Sequence, residues 1–171
     1  VFGWLLYRAA ERGGTIVSVA PTFKPQTINA MERTRMTLDD NIATRGKWRS
    51  SAGFVFRFHK ARVQFFSGEH TSKVVGATAD LLLSVDEAQD IDPAKFDKEF
   101  DPMTASTNAT RVFWGTAWTS QTLLARQARA AWAACPSRRH RCMWPPGTLP
   151  ASAHSARSAP VSMTTARRSS W

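Results

Sequence analysis

The chain has 171 residues, enough for one domain with a sizeable core, and no apolar run long enough to cross a bilayer as a helix. Its formal net charge is +10, but residues 1–101 hold all 13 acidic residues and 14 of the 23 basic ones, while the stretch beyond Asp101 holds 9 arginines and no acid. The basicity belongs mostly to the second part, so net charge alone does not make the first part a nucleic-acid binder.

The first residue is Val, which reads as a piece of a longer product. Phe2, Leu5, Leu6, Ala9 and Ala10 fall at helical spacing, so residues 1–12 read as a helix that Gly13-Gly14 stops. A basic leader and a small-residue cleavage site are lacking, which argues against a signal peptide and for a cytoplasmic setting. Thr15–Ala20 is a short β-rich run ended by Pro21. Thr22 is placed to cap a helix carrying Ile28, Met31, Met36 and Leu38, with Pro25 in its first turn. Arg33, Arg35, Arg45, Lys47 and Arg49 bracket a polar loop with Trp48. A DNA-phosphate contact with a stacking ring and a solvated basic face both remain open there. Phe54–Phe58 and Arg62–Phe66 alternate as two strands about a tight turn at His59-Lys60.

Leu81-Leu82-Leu83-Ser84-Val85 is a near-continuous apolar run that ends in Asp86-Glu87. Such a run is a strand buried on both faces, as a parallel sheet covered by helices requires. Ligands of open parallel sheets bind beyond the strand C-termini, so both carboxylates are expected at a ligand crevice. A solvated turn before a helix cap is the plainer reading. Asp90 and Asp92 are read as caps for the helix that Pro93 starts and that passes through Phe96 and Phe100. Thr110–Trp114 is a further strand stopped by Gly115, and Gln121–Ala131 a helix. Strands alternating with helices predict an α/β parallel sheet, with the Phe54–Phe66 hairpin as an antiparallel insertion or edge. From about Ala130 the pattern dissolves into Arg, Ser, Ala, Pro and Trp. That composition resembles GC-rich codons read out of frame, with a natural basic tail as the alternative. Cys135, His140 and Cys142 lack the spacing of a zinc finger, so no metal site is expected there.

Ala20-Pro21-Thr22 with Gln26, Ser67-Gly68, Gly76-Ala77-Thr78-Ala79, Val85-Asp86-Glu87-Ala88-Gln89-Asp90 and Gly115-Thr116 together resemble the ATPase domain of a phage large terminase subunit, over roughly residues 1–128. The resemblance implies a P-loop NTPase-like (RecA-like) α/β fold with a mostly parallel sheet. It implies ATP and Mg²⁺ as cofactors, with Asp86 on the metal, Glu87 as base or water-positioning carboxylate, Thr116 in a motif that senses the γ-phosphate, and Gln26 at the nucleotide. It implies double-stranded DNA, a small terminase subunit and a portal as partners, no membrane, and action in the bacterial host cytoplasm. Two family features are missing. No G-x-x-x-x-G-K-[ST] loop occurs, and it is expected just before Val1. No acid follows Asp101, so a carboxylate-based nuclease domain has no residues here. The sheet is therefore expected to be incomplete, residues 129–171 to be a disordered or out-of-frame basic tail, and the chain to have little or no ATPase or nuclease activity by itself. Two rivals stand beside this reading. A helicase with Asp-Glu-x-Gln-Asp would usually follow it with Gly-Asp-x-x-Gln, where this chain has Gly115-Thr116-Ala117-Trp118. A non-enzymatic basic nucleic-acid-binding protein would act through the arginine-rich tail.

Overall fold

In the computed structural model, Ala10–Arg12 are helical up to Gly13, whose φ of +86° suits glycine. The structure describes residues 10–72, 74, 76–116, 118–134 and 161–165. Among the described residues, seven strands and three helices follow in chain order. They are β1 (Gly14–Ala20), α1 (Ile28–Asp40), β2 (Trp48–Ser51), β3 (Val55–Phe58), β4 (Ala61–Ser67) and β5 (Leu82–Val85), then α2 (a helical stretch over 93–104), β6 (Thr110–Gly115), α3 (Leu123–Ala133) and β7 (Val161–Thr165).

All strands join one sheet in the order β2-β3-β4-β1-β5-β6-β7. The four central strands β4, β1, β5 and β6 are parallel, and β2, β3 and β7 are antiparallel to their neighbours. The expected hairpin exists as β3–β4, extended by an additional edge strand, β2. Phe54 lies in the turn before β3.

Period-two alternation sorts the side chains of the central strands. Ile16 with Leu82 and Val112 face one layer, with Leu38 of α1, and Val63 and Phe65 join them. Val17, Val19, Leu83, Val85 and Phe113 face the other, with Phe96, Phe100, Leu123 and Leu124 of α2 and α3. Burying each such side chain contributes about 1.5–3 kcal/mol. Helices on both faces are what a buried parallel sheet needs.

Three local expectations change. The helix after Pro21 begins only at Ile28, behind a wide turn over Phe23–Thr27. Lys24, just before Pro25, is extended (φ −111°, ψ 128°), because proline disfavours the helical region for its predecessor. Thr22 therefore makes no cap bond to the helix. Second, α2 exists, with Asp92 accepting from the Ala94 amide at 3.1 Å as its cap, but it tightens and widens from turn to turn. Third, the notion of a 129–171 tail meets two described segments: α3 runs on to Ala133, and Val161–Thr165 pairs with β6. Residues 1–9, the remainder of that tail, and Cys135, His140 and Cys142 lie outside the described residues.

Candidate nucleotide site at the carboxyl rim

Parallel register brings the ends of four strands to one rim. Ala20 pairs with Ser67, Val19 with Val85, and Val85 with Phe113. Beyond the rim the backbone keeps pairing, with Gly68 N donating to Ala20 O (2.7 Å), Asp86 N to Val19 O (2.8 Å) and Ala88 N to Trp114 O (2.8 Å). The chain leaves β1 through α1 toward the β2–β4 side and leaves β5 through α2 toward β6. Those connections lie on opposite faces, so β1 and β5 flank the switch point where α/β sheets open a crevice. Asp86-Glu87 sits there, as the sequence implies.

The two carboxylates diverge. Asp86 is half-buried and continues the Leu82–Ser84 face toward α1. It lines a cavity of about 300 Å³ with Arg33, Thr34 and Thr37 of α1 and with Ser18, Ser84 and Trp114 of the sheet. Burial, then the neighbouring Glu87 charge, hold its carboxyl above the usual value, while the Glu87 amide and Arg33 pull the other way. Glu87 adopts a φ of +45° and turns toward β6. There Gln89, 8% exposed, links two strands. Its Nε2 donates to Glu87 Oε2 at 2.6 Å, and its Oε1 accepts from Thr116 N at 3.1 Å. Gly115 makes this possible. A Cβ there would overlap Gln89 Oε1 and lie 3.3 Å from Ala88 N.

Gln26 does not join this group. Its Oε1 accepts from Thr22 N (3.0 Å) and Thr22 Oγ1 (2.8 Å), and it lines a separate cavity of about 560 Å³ with Thr22, Gly68, Glu69, His70 and Asp92. Sequence reasoning assigns no separate role to Gln89, although it stands in the same Asp-Glu-Ala-Gln-Asp run. Nothing in that run announces a bond to Thr116, 27 residues on. The basic loop also resolves differently. Arg33 and Arg35 are on α1, and Arg35 faces Asp39 at 3.8 Å. Arg45 donates to the Asp39 and Asp40 carbonyls at the end of α1. Trp48 bonds Asp39 through Nε1 at 2.8 Å and packs on Phe56, so its ring is structural.

Among the described residues no cluster of three or more His, Cys, Asp or Glu could hold a metal ion by itself. Asp86 nonetheless suits Mg²⁺. That ion is usually held by one or two carboxylates together with substrate phosphates, and a partly desolvated anion gains from a cation. A phosphate cradle of glycine amides and lysine is not supplied by the described residues. Nor is any described helix long and apolar enough to cross a membrane.

The fold is a mostly parallel α/β sheet with helices on both faces, P-loop NTPase-like in its architecture. Its likeness among solved structures is to the crystal structure of the HK97 bacteriophage large terminase, with a TM-score of 0.55 and 15% identity, over 70% of this chain and 26% of that one. The likeness is one of fold, and this chain spans about a quarter of the other's length. No family model and no curated protein matches the chain in sequence.

Proposed function

We propose that this chain is part of the ATPase motor of a phage DNA-packaging terminase, which in the intact protein couples ATP hydrolysis to translocation of double-stranded DNA. The supporting observation is the wired rim. A carboxylate in a cavity (Asp86) adjoins a second (Glu87) that Gln89 ties to the start of the segment after β6 at Thr116. The fold likeness to the HK97 large terminase supports the same reading. Magnesium–ATP, when bound, supplies the phosphoryl group and the charge that neutralises it. On this reading Asp86 holds the metal, and Glu87 positions water or takes its proton. The Thr116 hydroxyl, which both donates and accepts, reads the terminal phosphate. The small subunit, the portal and the host cytoplasm belong to the intact motor.

The test uses the chain with Mn²⁺ and ATP. Paramagnetic broadening of backbone amides is expected to concentrate at Asp86, Glu87 and Thr116, and Asp86→Asn is expected to abolish it. Phosphate release stays at background. Broadening spread over all surface acids, or unchanged in Asp86→Asn, overturns the site. Robust turnover abolished by Glu87→Gln overturns the expectation of inactivity.

A further inference from the structure

The strand register places three arginines side by side. Arg49 of β2 lies directly opposite Arg57 of β3, and Arg57 directly opposite Arg62 of β4. Directly opposed residues of antiparallel strands share a face, so the three guanidiniums start from one row across three strands. With neighbouring strands about 4.8 Å apart, the row spans about 10 Å. Arg49 and Arg57 are exposed and Arg62 is half-buried. Among the described residues none of the three forms an ion pair with a carboxylate. Arg62 donates through Nε to Thr15 Oγ1 at 2.9 Å.

This arrangement works against folding, because like charges directly opposite each other destabilise a sheet. Charge on an edge strand deters unwanted strand pairing, which accounts for Arg49. It does not account for Arg57 and Arg62, whose strands are paired on both sides. The other face of the same strands is apolar, with Phe56, Phe58 and Val63 in the core. The apolar layer under α2 and α3 draws on β1, β5 and β6 and, from β2–β4, only on Phe66 at its margin. At Arg57 the rule is broken with no side-chain bond in return among the described residues, and such a breach marks a functional place.

We propose that Arg49, Arg57 and Arg62 form a docking row for the phosphate backbone of duplex DNA. Guanidinium forks match phosphate oxygens in pairs. One DNA strand presents a charge about every 3.4 Å of axis, and the long arginine side chains let the three guanidiniums reach separate phosphates. The choice of DNA over another polyanion rests on the packaging-motor reading. The row itself rests on register and charge, and a failed Mn²⁺ experiment leaves it standing.

The experiment measures duplex binding by the full chain, by fluorescence anisotropy between 50 and 200 mM salt. Each lost phosphate contact lowers the slope of log K against log salt by about 0.9. Arg57→Gln is expected to lower it by about 0.9, and the triple glutamine variant by about 2.7, which is about 40-fold less affinity lost across that salt range. Arg57→Lys is expected to keep the slope. Arg57→Gln is also expected to raise the urea midpoint, since a repulsion is removed. A slope unchanged in Arg57→Gln refutes the row, as does an equal fall in Arg126→Gln, whose arginine pairs with Asp97 instead. Arginine-dependent binding to polyglutamate but not to DNA reassigns the face to an acidic protein and refutes the proposal.

Discussion

Gly115→Ala tests the geometry of the rim directly. An added methyl would overlap Gln89 Oε1 and lie 3.2 Å from Gln89 Cδ, so the carboxamide must swing away. It then loses the Thr116 amide, a neutral bond contributing about 1 kcal/mol, and the charge-assisted bond to Glu87, contributing about 1.5–3 kcal/mol. Glu87 is half-buried, so the lower end of that range applies and the two together come to about 2–3 kcal/mol. The backbone adds a separate cost of about 1–3 kcal/mol, since Gly115 sits at φ +156°. Urea unfolding of four proteins separates the two costs: the parent, Gly115→Ala, Gln89→Ala and the double variant. Once residue 89 is Ala the overlap is gone and only the backbone cost remains. The cycle is therefore expected to show a coupling of about 2–3 kcal/mol, and the Thr116 amide resonance should move in both single variants. A coupling near zero would show that Gln89 does not rest on Gly115, and the link between the rim's carboxylate and β6 would fall.

Other outcomes follow from the same structure. Lys95 and Glu99 form a 2.9 Å pair with side chains only 5% and 17% exposed, so Lys95→Met leaves a carboxylate without its cation and is expected to cost about 3–5 kcal/mol at pH 7. Burial alone would raise Glu99, but the Lys95 bond, the Val74 amide and the two nearby lysine charges outweigh it and leave its carboxyl below the usual 4.5. That stabilisation is present above the ordinary glutamate value and is lost as pH falls through the lowered one. The gap between the urea midpoints of parent and variant should therefore narrow as pH falls below the ordinary glutamate value, and a gap that does not narrow refutes the pairing. Arg126 and Asp97 make a two-pronged pair at 2.8 and 2.6 Å, yet their side chains are 37% and 55% exposed. Arg126→Gln is expected to cost below about 1 kcal/mol and to cost less in high salt. Thr122 accepts from the Ala125 amide at 3.2 Å at the start of α3, so Thr122→Ala should lower stability by about 1 kcal/mol by thermal melting.

The elements were readable where the signal is local. Thr15–Ala20 and Arg62–Phe66 alternate or run apolar, Gly13-Gly14, Pro21 and Gly115 punctuate them, and Leu82–Val85 is apolar throughout, which only a strand covered on both faces tolerates. The position of Asp86 and Glu87 at a strand end was legible for the same reason. Trp48–Ser51 was not, since Trp-Arg-Ser-Ser has no apolar period and becomes a strand only because β3 offers it an edge. Helix α1 was drawn too early, because the bend that Pro25 imposes on Lys24 competes with the helical spacing of the residues behind it.

Sequence alone thus determined five of the strands, β1 and β3 to β6, and that an acidic pair follows a buried one, because a side-chain period of two or an apolar run is written within five or six consecutive residues. Only the tertiary structure decided that Gln89 holds Thr116, that Gln26 and Asp86 line different cavities, and that Arg49, Arg57 and Arg62 stand abreast. Register and strand order relate segments far apart in the chain. They are set by which faces the helices cover, and no single segment carries that information in its own pattern.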